Sequence, residues 1–252
     1  MRTEVMSRIL LLIALLFSFS AAQAQEAPLT PKQMEAVRKI VRDYILENPE
    51  IIGDAIEAMQ ENLRKAADAE SAKILSEKRK EIENDPSSPS GGNPKGDVTI
   101  VEFFDYLCGY CKQIHGPLMD LINKDGKVRM VYKELPVLGK VSTLAAKVAL
   151  AANMQGKYIA FNDALMRSRG QVTEESLFAL AKETGLNIDK LKKDISSPDI
   201  EKALSANYDL ARLLNIKGTP GFVIGDQVIR GAPDPEGLKL LLAEARKTPE
   251  KK

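Results

Sequence analysis

The sequence predicts an α/β domain interrupted by a helical insert and preceded by an all-helical arm. Three observations carry this. β-Branched and aromatic runs occur at 98–104, 128–132 and 222–229, all in the later part of the chain. Between the second and third lies 141–215, rich in alanine and leucine at helical spacing. Residues 30–84 show only the three- and four-residue periodicity of helices.

The chain opens with Arg2 and Arg8, then an apolar run from Ile9 to Phe17 and a small-residue Ala22-Gln23-Ala24. This is the order of an export signal cleaved before Gln25, and the run is shorter than the ~20 residues of a membrane span. The expected organisation is therefore a signal peptide at 1–24, a helical oligomerisation arm at 25–83, a linker at 84–96 and a catalytic domain at 97–252.

In the arm, Thr30-Pro31 supplies an N-cap and an N1 proline, and Met34, Val37, Ile40, Val41, Tyr44 and Ile45 share one face. Asn48-Pro49 repeats the start signal. Ile52, Ile56, Met59, Leu63 and Ala66 then follow the four-three spacing of a coiled-coil seam. Beyond Ala66 the seam loses phase at Glu70 and Lys73, so the second half of this helix is expected to be solvated. A stripe too small to form its own core must be covered by the main domain or by copies of itself, and copies are favoured. The stretch 84–96, NDPSSPSGGNPKG, reads as a hinge-like linker.

Residues 98–104 read as a buried strand and 128–132 as a second, joined by a helix to about 123; the β-α-β order makes the strands parallel. Gly156, Gly170 and Gly185 punctuate the insert, whose apolar faces read as core, with no cofactor box. After Gly218-Thr219-Pro220, residues 222–229 turn at Gly225-Asp226 as a hairpin. A last helix, capped by Asp234, runs to about 247.

Composition excludes some functions. With 36 basic and 35 acidic residues, nothing marks a nucleic-acid footprint. The two cysteines of the chain, Cys108 and Cys111, end the first strand as Cys-Gly-Tyr-Cys. A disulfide closing so short a loop contributes about 2 kcal/mol at best, a poor staple. Zinc would need a fourth soft ligand after Cys108, Cys111 and His115, and the sequence has none. Dithiol redox chemistry is the favoured reading, with Cys108, at a strand-to-helix junction, as nucleophile and Cys111 as resolver. Glu102, an acid within an apolar strand, must be hydrogen-bonded or functional, with a lysine such as Lys133 as the plain alternative. His115 lies one turn after Cys111, where an imidazolium would steady a thiolate, unless it is simply a surface residue.

Phe103-Phe104-Asp105-Tyr106-Leu107-Cys108-Gly109-Tyr110-Cys111-Lys112, with Gly218-Thr219-Pro220-Gly221-Phe222, resembles the two active-site motifs of the DsbA-like disulfide oxidoreductases. The resemblance spans about 96–247 and implies a thioredoxin fold with an inserted helical subdomain. Asn48-Pro49-Glu50 and Gly91-Gly92-Asn93-Pro94 resemble the branch that contains the copper-tolerance protein ScsC, in which some members are trimers. It further implies that Glu102 exchanges protons with Cys111, that Pro220 is cis so that Thr219 offers its backbone to a substrate strand, and that Gly109 and Tyr110 tune the dithiol or touch substrate. Cys-Gly-Tyr-Cys departs from the Cys-Pro-His-Cys of strongly oxidising members and is identical to that of the isomerase DsbC. The expected activity is thus thiol–disulfide exchange, isomerase or reductase rather than oxidase, on cysteine-containing exported proteins in the periplasm. A membrane redox partner would reset the dithiol, and a trimer through the amino-terminal helices is favoured. No cofactor or metal is expected beyond the Cys108–Cys111 disulfide.

Overall fold

The computed structural model describes residues 29–247. The expected signal peptide and its cleavage site lie outside the described residues.

The chain divides into two compact units, up to Met59 and from Gln60 onwards. In the first, helix α1 (Pro31–Glu47) starts on a capping box between Thr30 and Gln33 and stops where the Asn48 backbone and side chain both donate to the Tyr44 carbonyl. Helix α2 (Glu50–Glu83) begins in this unit. Met34, Val37, Ile40, Val41, Tyr44, Ile52, Ile56 and Met59 are all exposed.

The second unit is built on a sheet of order β1-β3-β2-β4-β5, comprising β1 (Ser90–Gly92), β2 (Val98–Phe104), β3 (Val128–Glu134), β4 (Gly221–Ile224) and β5 (Gln227–Arg230). β2 and β3 run parallel, and the other pairings are antiparallel. Helix α3 (Gly109–Asp125) connects β2 to β3 and ends at Gly126, whose φ of 68° closes a left-handed cap. The insert comprises α4 (Lys140–Asn153), α5 (Tyr158–Arg167), α6 (Glu174–Glu183), α7 (Ile188–Asp194) and α8 (Pro198–Leu213), and α9 (Pro235–Lys247) ends the unit.

Side-chain alternation along the strands makes two cores. Ile100, Phe104, Met130, Tyr132, Phe222 and Ile224 pack with α3, α9 and the insert. Val101, Phe103, Val131 and Val223 face the other way, onto Leu75 and Ile82 of α2, Leu210 and Ala211 of α8 and its C-cap Leu214.

That second core corrects two expectations. The later half of α2 is not solvated: the phase lost by the seam is the phase that turns Ser71, Leu75 and Ile82 onto the sheet. Nor is 84–96 an unattached linker. Ser90–Gly92 adds an edge strand to β3, and Gly92, at φ 67°, lies where a Cβ would fall 2.5 Å from the Val128 carbonyl oxygen, so only glycine fits. The Ser-Gly-Gly composition that suggested a hinge is what permits this close approach.

Candidate redox site

β2 ends at Phe104, and the turn 105–107 delivers Cys108 to the N-cap of α3. One buried carboxylate shapes that turn. Asp105 Oδ1 accepts from the Leu107 amide at 2.8 Å; Oδ2 accepts from Val137 and Leu138 amides at 2.9 and 3.0 Å and from the Ser142 hydroxyl. It joins the redox loop to the segment after β3.

Cys108 Sγ is a meeting point. It accepts from the Cys111 amide at 3.4 Å, as N-cap side chains do, and its thiol donates to the Thr219 carbonyl at 3.2 Å. The N-cap position brings the sulfur to the first-turn amides of α3. Thr219-Pro220 is cis. The two cysteines are free thiols, and Cys111 is fully buried. Burial first, then the charge of Glu102, push the Cys111 thiol far up, against a weaker opposing hydrogen bond from the Asp105 backbone. Its deprotonation therefore needs an acceptor close at hand.

Glu102, in the middle of β2, supplies that charge. It is 1% exposed, burial raises its carboxyl to about 8, and its Oε1 has no hydrogen-bond partner among the described residues. The lysine alternative fails on register. Glu102 lies opposite Tyr132, whereas Lys133 lies opposite Phe103 on the other face, donating to the Glu81 carbonyl at 2.9 Å and to Asp85 at 3.1 Å.

Gly109 and Tyr110 open α3. The glycine has empty space where a side chain would stand, and Tyr110 is 68% exposed. His115 is neither a surface residue nor aimed at a thiolate. It is 2% exposed, and its Nε2 meets Asp163 Oδ1 of α5 at 2.9 Å. Burial lowers its pKa, partly opposed by Asp163, so the imidazolium is disfavoured. With Lys112, whose Nζ donates to the Leu165 and Ser168 carbonyls at 2.9 and 3.2 Å, it fastens α3 to the insert.

Sequence reasoning missed Asp105 as more than a motif letter, and missed Glu134 altogether. Glu134 Oε1 accepts from Tyr106 at 2.9 Å and from Tyr158 at 2.7 Å, and Asn162 Nδ2 donates to the Tyr106 hydroxyl at 3.0 Å. The signal that singled out Glu102, an acid in an apolar strand, applies equally to Glu134 once β3 is carried two residues past Tyr132.

Comparison with known proteins follows the same lines. Residues 83–244 match the family described as thioredoxin, and 33–66 match the copper resistance protein ScsC N-terminal domain. A thioredoxin-like oxidoreductase of Silicibacter pomeroyi is 41% identical, with TM-score 0.66, over 68% of this chain and 98% of that one. Proteus mirabilis ScsC in a transitional conformation is 30% identical, with TM-score 0.64, over 88% and 99%. The probable disulfide bond formation protein D of Bacillus cereus is 26% identical over 161 residues, 59% of this chain and 74% of that protein. The chain spans only 24% and 25% of the length of the first curated relatives it matches, sodium/proton antiporters NhaA of two Salinispora species.

Proposed function

Since the chain belongs to the thioredoxin family, in the branch related to ScsC and DsbA, we propose that it is an exported thiol–disulfide oxidoreductase of the cell envelope. The carrying observation is the convergence on Cys108 Sγ of the Cys111 amide and the Thr219 carbonyl, with Glu102 buried in β2 and its charge acting on Cys111. Cys108 thiolate attacks one sulfur of a substrate disulfide; the other sulfur leaves as a thiolate and takes up a proton. Thr219 offers its backbone to the substrate strand. Cys111 then passes its proton to Glu102 and attacks Cys108 Sγ, breaking the mixed disulfide. The substrate gains two electrons and the Cys108–Cys111 pair loses two. Isomerisation arises when the substrate's own thiol displaces Cys108 before Cys111 does.

We favour isomerase or reductase over oxidase. Cys-Gly-Tyr-Cys and the exposed apolar stripe of α1 and of α2 up to Met59 support several active sites joined through the arm, a trimer by family analogy. A membrane partner would reset the dithiol. That the Bacillus relative is named a disulfide bond formation protein favours a second reading, net oxidation by a single chain.

Refolding of scrambled ribonuclease by the whole exported chain tests this. Reactivation is expected from an oligomer, is abolished by Cys108→Ala, and falls when Ile56→Lys disperses the oligomer. A protein with the mass of one chain that oxidises reduced ribonuclease but leaves the scrambled form inactive would replace the isomerase with the oxidase.

A further inference from the structure

We propose that Glu134 is a second buried acid of the redox centre, a positioning residue whose charge sets the pH at which Glu102 can take the Cys111 proton. The inference rests on the oxidoreductase reading above.

Placement comes first. In the parallel register Glu102 stands opposite Tyr132 and Phe104 opposite Glu134, so alternation puts Glu102 and Glu134 on the same face, one pleat apart diagonally. Both are 1% exposed. Charges sharing a dry interior interact strongly, and two such carboxylates resist ionising together.

The groups facing Glu134 come from every element around it. Tyr106 from the redox loop and Tyr158 from α5 donate to Oε1. Asp105, from the turn after β2, and Glu102, from the middle of β2, add like charge. Asn207 of α8 donates to its main-chain carbonyl at 3.1 Å. Oε2 has no partner among the described residues. A purely structural knot would use both oxygens; here one oxygen collects two hydroxyl donors and the other is left to hold or lose a proton. Burial raises the Glu134 carboxyl to about 8, with the two tyrosine hydroxyls opposing and Asp105 and Glu102 reinforcing the rise.

The connection to the chemistry is short. Tyr106 lies two residues before Cys108, and its hydroxyl is held by Asn162 and Glu134 together. When Glu134 is neutral, Glu102 ionises at lower pH and is then free to accept the Cys111 proton. When Glu134 is ionised, Glu102 holds its own proton to higher pH and is not available as the acceptor.

The test is the midpoint potential of Cys108–Cys111 against glutathione from pH 5 to 9, in the full chain, for wild type, Glu134→Gln, Glu102→Gln and the double variant. Glutamine keeps an acceptor for both tyrosines, so a structural role predicts no change. The proposal predicts that Glu134→Gln moves the Glu102 inflection acidward by about one pH unit, and that this shift disappears in the Glu102→Gln background. An unmoved inflection, or an equal shift in both backgrounds, overturns it. Should Glu134→Gln fail to fold, Tyr158→Phe removes one donor, keeps Glu134 neutral to higher pH and moves the curve the same way by less; no movement overturns the proposal. A wild-type dithiol that does not equilibrate with glutathione overturns the oxidoreductase reading as well, whereas an equilibrating protein insensitive to Glu134→Gln removes only this assignment.

Discussion

The two faces of the central sheet bury charge in different ways. On the α2 face Lys133 is completely buried but has Asp85 at 3.1 Å and the Glu81 carbonyl at 2.9 Å. On the α3 face Glu102 and Glu134 are buried with an oxygen each left unpartnered among the described residues. A compensated buried charge holds structure together, while an uncompensated one is kept where its proton is useful. The two faces consequently depend on pH with opposite signs. Asp85 is lowered to about 2: burial alone would raise it, but Ser87 hydrogen bonds and the Lys133 charge outweigh that. Its contribution is present above 3.8 and lost as pH falls through about 2. Glu102 is raised from 4.5 to about 8, so the native state is most favoured below 4.5 and loses that advantage as pH rises through about 8.

The largest effect that would break this contrast is at Glu102. Glu102→Gln is expected to slow resolution of the mixed disulfide about 100-fold, seen as its accumulation in quenched reactions. The same variant should be more stable than wild type by an amount that grows on the order of 2–4 kcal/mol from pH 5 to pH 8 in urea unfolding; a constant difference would mean that the carboxyl does not titrate there. Next is the compensated face. Asp85→Ala leaves Lys133 unpaired and should cost about 1–3 kcal/mol, reduced from the fully buried case by the partial exposure of Asp85. Lys133→Met in the same background should restore most of it, and failure to do so would show that the aspartate acts through its Ser87 and Ser88 turn instead. The smallest effect is at Ser71, which donates to the Leu214 carbonyl at 3.2 Å and accepts from Arg230 at 2.7 Å. Ser71→Ala should cost about 0.5–1.5 kcal/mol by thermal or urea unfolding, and no loss would argue that this part of α2 is held by Leu75 and Ile82 alone.

Much of the fold could be read from local chemistry. The strand Val98–Phe104, the Thr30 cap and the 225–226 turn are set by residues close in sequence, and each stands where the pattern puts it. What escaped was long-range. The burial of Leu75 and Ile82 depends on a helix meeting a sheet face whose strands come from other parts of the chain, and heptad counting has no view of that face. His115 was misread for the same reason: its helical position relative to Cys111 is visible, but Asp163, 48 residues on, is not. At the site, Cys108, Cys111 and Glu102 were legible because an acid and two thiols in an apolar run are chemically out of place. Asp105 was not, because its partners at 137, 138 and 142 reach it only through the return of the chain after β3.

β1 has a further consequence, for solubility. Its three residues pair with Val131, Met130 and Arg129, while the Pro89 carbonyl takes the Tyr132 amide and the Asn93 amide gives to the Val128 carbonyl. The strand is short and lies between Pro89 and Pro94, residues that cannot donate to a neighbour, so it closes the β3 edge without offering a long new one. A fragment begun at Pro94 would lose this stopper and would bare Val101, Phe103 and Val131. Such a fragment would present a template for strand addition by any passing chain and would aggregate, so the working start of this domain lies inside the long helix.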